Sequence, residues 1–322
     1  MKKSTKIWLV VASSLMVIGL ITFAAVMTEY NWDFMKLSTE KYETNTHEIT
    51  EDFNNISINT DTANIIFALS DSGKCKVECY ESKKSKHSVI TKDDTLIIKT
   101  TNKRNWYDYV GIHFGSPKIT IFLPKAKYSV LSINQDTGDI LLPKYFKFAS
   151  ADILSSTGDV NFFASASKPV KIKTSTGHIS VKDSSVKALD LTASTGDIII
   201  SNVTCKKDIN IRLSTGETDL TDIKCKNLKA CASTGNITLK NVISQETFSI
   251  KTSTGNVKFD HSDAKEIFTE TDTGNVVGSL LKDKIFITST DTGRVDVPKT
   301  VSGGKCEIIT DTGDIKITVN KE

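Results

Sequence analysis

The sequence predicts an all-β chain wound as a parallel β-solenoid (β-helix) of about 19–20 residues per coil, preceded by an N-terminal transmembrane helix. Three observations carry this. Thr-Gly recurs ten times at a near-constant interval, always preceded by Ser or Asp, with corner glycines Gly138, Gly158, Gly177, Gly196, Gly216, Gly235, Gly255, Gly274, Gly293 and Gly313. Apolar residues alternate with polar ones on both flanks of every corner. Residues 7–27 form an uncharged, largely apolar run long enough to cross a bilayer as a helix.

The elements follow in chain order. Residues 1–6 are a short basic end carrying Lys2, Lys3 and Lys6, and Glu29 and Asp33 flank the apolar run on its other side. This asymmetry places the N-terminus inside and the remainder outside a cell membrane, as a single-pass signal anchor. A cleaved signal peptide is the competing reading, with Thr22-Phe23-Ala24 a poor cleavage site and the apolar run longer than usual. Residues 28–47 read as a linker, 48–134 as irregular N-terminal coils or a cap, and 135–322 as the regular repeats.

Aligned on their glycines, the repeats show which side chains face inward. Seven residues before the corner stand Leu131, Val170, Leu189, Ile209, Phe248 and Cys306; five before stand Ile133, Ile153, Ile172 and Ile250. Two after stand Ile140, Val160, Ile179, Ile198 and Val276, and four after stand Leu142, Phe162, Val181, Ile200 and Phe259. Such alternation, rich in β-branched residues, is that of half-buried strands. Glycine fits the corner because a sharp bend there favours positive φ. The threonine before it offers a hydroxyl for its own turn or the coil above. The rival arrangement, a β-meander with Thr-Gly hairpin tips, is disfavoured because tight hairpins prefer Asn-Gly or Asp-Gly. One further copy is hidden at Ile56–Phe67, with Ala63 in place of glycine, so the stack is expected to begin near His47. Three strand-like runs between Ala63 and Gly138 are expected to form irregular coils with insertions. Each coil adds about 4.8 Å of height, so ten make a rod of roughly 50 Å.

The repeated Ser/Asp-Thr-Gly-Asp/Asn-Ile/Val units, the N-terminal anchor and the strand Ile121-Phe122-Leu123-Pro124-Lys125 resemble the bacterial β-strand-repeat "putative adhesin" family, a domain of unknown function, some of whose members are encoded beside envelope-stress regulators. The likeness covers about residues 48–322. It implies a membrane-anchored cell-envelope protein and supplies no catalytic residues. The many cysteines and the aromatic insertion depart from the family pattern.

Composition narrows the function. The formal net charge of +3 is local to the N-terminal lysines, so no basic domain for nucleic acid exists, and arginine is confined to Arg104, Arg212 and Arg294. The six cysteines show no Cys-x-x-Cys spacing, and Cys306 falls in a core slot, which favours buried free thiols over zinc or disulfides. A Cys205–Cys225 bridge between neighbouring coils is the exception to test. The residues after each glycine (Asp139, Asp159, His178, Asp197, Glu217, Asn236, Asn256, Asn275, Arg294, Asp314) read as a solvated polar ladder, with too few oxygens per coil for calcium. The first threonine of each Thr-x-Thr pair, as in Thr252/Thr254, has inward parity, which argues against an ice-binding face. No neighbouring coils pair unusual carboxylates, and the five histidines are scattered. No cofactor, metal or catalytic residue is therefore expected.

The segment with binding character is the aromatic insertion containing Trp106, Tyr107, Tyr109 and Phe114, which either caps the first coils or contacts a protein or glycan partner. The favoured function is a non-enzymatic, adhesin-like or envelope interaction module held by the membrane through residues 7–27. The alternative is a scaffold that self-assembles through its solenoid ends, as in bactofilin-like filaments, because the last coil would present unpaired edge groups. A glycan-active β-helix enzyme is the weakest reading.

Overall fold

The computed structural model of the chain describes residues 3–34, 40–102 and 115–320. One helix, Lys3–Glu29, is long and apolar enough to cross a membrane. All the other extended elements are strands of one continuous sheet.

The coils stack as predicted. Leu189 lies opposite Ile209 and Ile198 opposite Thr218, parallel and in register, and the same relation recurs from coil to coil. The inward parity also holds: Leu131, Ile172, Ile198, Phe162 and Phe248 are buried, and the largest wholly buried side chains include Phe67, Phe146 and Phe259. Each such side chain contributes about 1.5–3 kcal/mol on burial.

A second bend divides each central coil further. Asp183, Asn202, Asp222, Asn241 and His261, each six residues past its glycine, have φ between 47° and 54°. Asn and Asp tolerate this left-handed conformation better than other side-chain-bearing residues. The chain then turns Val203 and Cys205, or Ile223 and Cys225, inward as a third wall. The cross-section thus has three corners: Thr-Gly, Asp/Asn and, where the third wall meets the next coil, lysine.

Stack order departs from chain order at both ends. At the start, Asn55–Thr62 pairs in parallel with Thr95–Asn102 on one side and Lys127–Thr137 on the other, so the first coil lies one layer in. The stack begins there and not near His47. Of the three strand-like runs between Ala63 and Gly138, Leu96–Lys99 and Ile119–Leu123 join the parallel stack as expected, whereas Cys75–Tyr80 does not. It lies in the strand Cys75–Ser82, which pairs antiparallel, as do Tyr42–Ile49 and Ser85–Lys92. These antiparallel strands cover the outer edge of the parallel stack, with Phe53 stacked on Tyr128 at 6.1 Å.

At the other end, Glu266–Thr273 pairs with Gly304–Thr312, which in turn pairs with Lys284–Thr292. The last coil is therefore inserted between the two before it, contrary to the expectation that it forms the free end. The terminal edge belongs to the Gly293 coil, whose Phe286 and Val297 are only half-buried while Val295 is 45% exposed. Gly304, opposite Lys284 in register, puts no side chain in the way. The Lys284 ammonium reaches Asp263 at 2.5 Å, both side chains almost wholly buried.

Candidate functional site

The corners are the parts of the solenoid that repeat chemistry at its surface. At the Thr-Gly corner the glycine amide of each coil donates to the threonine carbonyl of the next, as Gly196 does to Thr215 at 3.0 Å. A Cβ on Gly235, where φ is 140°, would overlap the Gly216 carbonyl oxygen, so close stacking of backbones as well as the bend requires glycine. The hydroxyls that tie corners together come from an unexpected position. Thr252, Thr271, Thr310 and Thr290, three before each glycine, donate to the corner carbonyls of Gly235, Gly255, Gly274 and Gly313 at 3.0–3.2 Å. Threonines directly before the glycine, such as Thr195 and Thr215, face solvent.

The residue after each glycine forms an ordered ladder. Asp139 accepts the amide of Asp159 at 2.8 Å, Asp159 that of His178 at 2.8 Å, and Asn236 that of Asn256 at 2.8 Å. Across the inserted coil, Asn275 accepts from Asp314 at 2.7 Å and Asp314 from Arg294 at 2.9 Å. The side chains that suggested a calcium ladder are engaged in capping the neighbouring amides. Arg294 has no acceptor atom, and it stands in the outermost coil, where no further coil needs one.

At the Asp/Asn corner, Asn202 donates to Asp183 at 2.7 Å and Asn241 to Asp222 at 3.0 Å. Sequence reasoning missed this corner, although an Asp or Asn six residues after four successive glycines was its signal. The third corner carries Lys168, Lys187, Lys207 and Lys226, with Lys207 and Lys226 each donating its amide to the preceding lysine carbonyl. Beside its lower part runs a groove of about 540 Å³.

The sealed end holds a buried polar cluster. Cys79, Glu81 and His87 bring a thiol, a carboxylate and an imidazole within 4.8 Å of one another. The Glu81 carboxylate accepts the Asn45 amide at 2.7 Å, the His87 backbone amide at 2.6 Å and pairs with His87 Nδ1 at 2.7 Å. His87 Nε2 meets Thr60 Oγ1 at 2.9 Å. This donor set suits zinc in kind. A metal ion would have to displace the Glu81–His87 contact, and burial together with the Glu81 charge pushes the Cys79 thiol up to about 12. The arrangement acts as a buckle joining four strands.

One carboxylate grouping escaped the sequence. Asp219 is half-buried and its carboxyl is raised, first by burial and then by the charges of Glu217 and Asp197 on the adjacent ladder. The aromatic candidates Trp106, Tyr107, Tyr109 and Phe114 lie outside the described residues. All six cysteines are free, five of them buried, and Cys205 and Cys225 carry no disulfide.

The comparisons with known proteins follow this geometry. A "putative adhesin" structure from Bacteroides fragilis is similar with 15% identity and a TM-score of 0.43, covering 88% of this chain and 99% of its own. A "putative lipid binding protein" from Parabacteroides distasonis shows 13% identity and a TM-score of 0.46, with 87% and 98% covered. A "putative adhesin" from the same organism shows 13% identity and a TM-score of 0.44, again with 87% and 98% covered. No curated protein is matched by the sequence. The family comparison is decisive: residues 53–207 and 204–322 match the Toastrack DUF4097 domain, and the chain belongs to that family.

Proposed function

We propose that the chain is a non-enzymatic, adhesin-like interaction module of the bacterial cell envelope, anchored by Lys3–Glu29 with the solenoid outside. The observation that carries this reading is the three-cornered coil. Each corner repeats one kind of side chain over successive coils, so a partner lying along the axis meets the same chemistry many times, which raises its effective affinity. The apolar helix and the lysines before it support the anchor and its orientation. Protease treatment of intact cells is the test: the solenoid is expected to be lost while the helix stays with the membrane. Full protection of the solenoid, with digestion only after lysis, would end this reading.

A second reading, self-assembly, has its own support. The Gly293 coil presents a strand edge that, among the described residues, is paired on one side only, with Ile285 and Ile287 45% and 49% exposed. Because the opposite end is covered by antiparallel strands, this edge favours a pair of chains over a head-to-tail filament. Light scattering of the detergent-solubilised chain is expected to give a dimer on this reading; a monomer at all concentrations would exclude it.

A further inference from the structure

The groove beside the lysine corner has an unusual lining. Four lysines reach it: Lys127 and Lys147, opposite each other in register, at one end, and Lys187 and Lys206 at the other. Between them the wall carries the hydroxyls of Ser165, Ser167 and Ser185, and Tyr128 and Phe148 form part of the floor. Among the described residues no Asp or Glu lines the groove. Among the described residues none of these four lysines has a carboxylate within ion-pair distance, whereas Lys76, Lys86, Lys251 and Lys305 all do. Asp208, the nearest carboxylate in sequence, accepts Asn227 on the next coil. In a chain with nearly balanced charge, four uncompensated cations round one depression constitute a local field for an anion.

The geometry selects among anions. The lysines are spread over five coils, from Lys127 in the Gly138 coil to Lys206 in the Gly216 coil. At about 4.8 Å per coil the groove runs roughly 20 Å along the axis. A small anion would satisfy one end only, and a flat bilayer does not enter a depression. A chain that alternates charges with hydroxyl-bearing units meets lysines at both ends and serines between. Lysine without arginine supplies point charges and not the forks that grip phosphate.

We propose that this groove binds a linear acidic polysaccharide, lying along the solenoid axis with its carboxylates on Lys127, Lys147, Lys187 and Lys206 and its hydroxyls on the serines. The proposal deepens the adhesin-like reading and rests on it for the setting in which such a polymer is met, while its chemistry rests on the groove alone.

The test uses the full chain in an uncharged detergent and fluorescent polygalacturonate oligomers as the probe, read by anisotropy. Binding is expected, weakening as salt rises. The quadruple variant Lys127→Ser, Lys147→Ser, Lys187→Ser and Lys206→Ser is expected to lose affinity at least about tenfold. A charge-matched control, Lys171→Ser, Lys173→Ser, Lys229→Ser and Lys240→Ser, on exposed positions outside the groove, is expected to bind like the native chain. Equal melting temperatures establish that both variants fold. The proposal is overturned if the groove variant binds as well as the native chain, or if neutral amylose competes equally. Tighter binding of polyphosphate, or binding of phosphatidylglycerol vesicles without binding of polygalacturonate, overturns the saccharide assignment. None of these outcomes bears on protease shaving, so the location and the ligand fail separately.

Discussion

The two ends of the solenoid solve one problem differently. At both, the terminal coil of the chain lies one layer inside the stack, so neither the first nor the last repeat is outermost. At the N-terminal end the outermost coil is then covered: Ser85–Lys92 pairs with Thr95–Asn102, and Cys75–Ser82 with Lys118–Leu123, all antiparallel. At the C-terminal end Lys284–Thr292 and Val295–Asp296 have, among the described residues, a partner on one side only, and Val295 opens to solvent. The difference teaches that the repeat specifies the interior, while the ends are specified by residues that break it. Glu81 and His87 do so at the covered end, and Arg294 and Gly304 at the open one.

The largest expected effect separates the ends through their buried polar pairs. Glu81→Ala leaves the Asn45 amide and two His87 N–H groups without their acceptor and is expected to cost about 3–5 kcal/mol in urea unfolding. Lys284→Met strands the Asp263 carboxylate, but beside an edge that can open to water, so about 2 kcal/mol is expected. Hydrogen exchange should show the second loss confined to the Gly293 and Gly313 coils and the first spread through the stack. Equal, global losses would erase the distinction between a sealed and an open end.

The thiols sharpen the comparison. Burial raises Cys75, Cys79, Cys225 and Cys306 from their usual 9.0 to about 12. Above pH 9 the unfolded chain releases these protons while the folded chain keeps them until about pH 12. The folded state then holds more protons, and stability falls as pH rises through this window. Urea midpoints measured between pH 8 and pH 11 check the sign. Iodoacetamide is expected to modify Cys306, one layer beneath the open edge coil and opposite Phe286, before Cys75 and Cys79 under the antiparallel cover.

The smallest effect concerns the end of the polar ladder. Arg294 holds the Asp314 carboxyl below its usual range through a 2.9 Å contact at the surface, with Arg294 exposed and Asp314 partly so. Arg294→Gln is expected to leave the urea midpoint unchanged while Asp314 titrates nearer its ordinary value by NMR.

Most of the coil was legible in the sequence because every copy repeats it. The glycine register, the inward slots and the inward-facing first threonine of each Thr-x-Thr pair all follow from alternation and spacing. That threonine is buried at Thr174, Thr252, Thr271 and Thr310 and half-buried at Thr290 in the edge coil. What repetition cannot encode was missed. A Thr-Gly count is blind to the order in which equivalent coils stack, since Gly293 and Gly313 satisfy the same pattern. The signal was chemical: Arg294 alone among the post-glycine residues lacks an acceptor for a further amide, and Gly303-Gly304 removes the side chains where the last coil enters. The antiparallel cover was hidden because strand-like runs look alike whichever direction they pair. The lysine groove was hidden because its four cations belong to different coils and become neighbours only when the third wall forms.

The stacking order is the central claim, and engineered cysteine pairs test it most directly. Residues 275, 314 and 294 are successive rungs of the ladder. Neighbouring rungs stand about 4.8 Å apart, within disulfide reach, whereas 275 and 294 lie about 10 Å apart and beyond it. Under mild oxidation with mass-spectrometric mapping, Asn275→Cys/Asp314→Cys and Arg294→Cys/Asp314→Cys should cross-link and Asn275→Cys/Arg294→Cys should not. A rapid 275–294 bridge with no 275–314 bridge would put the coils back in chain order and contradict the account.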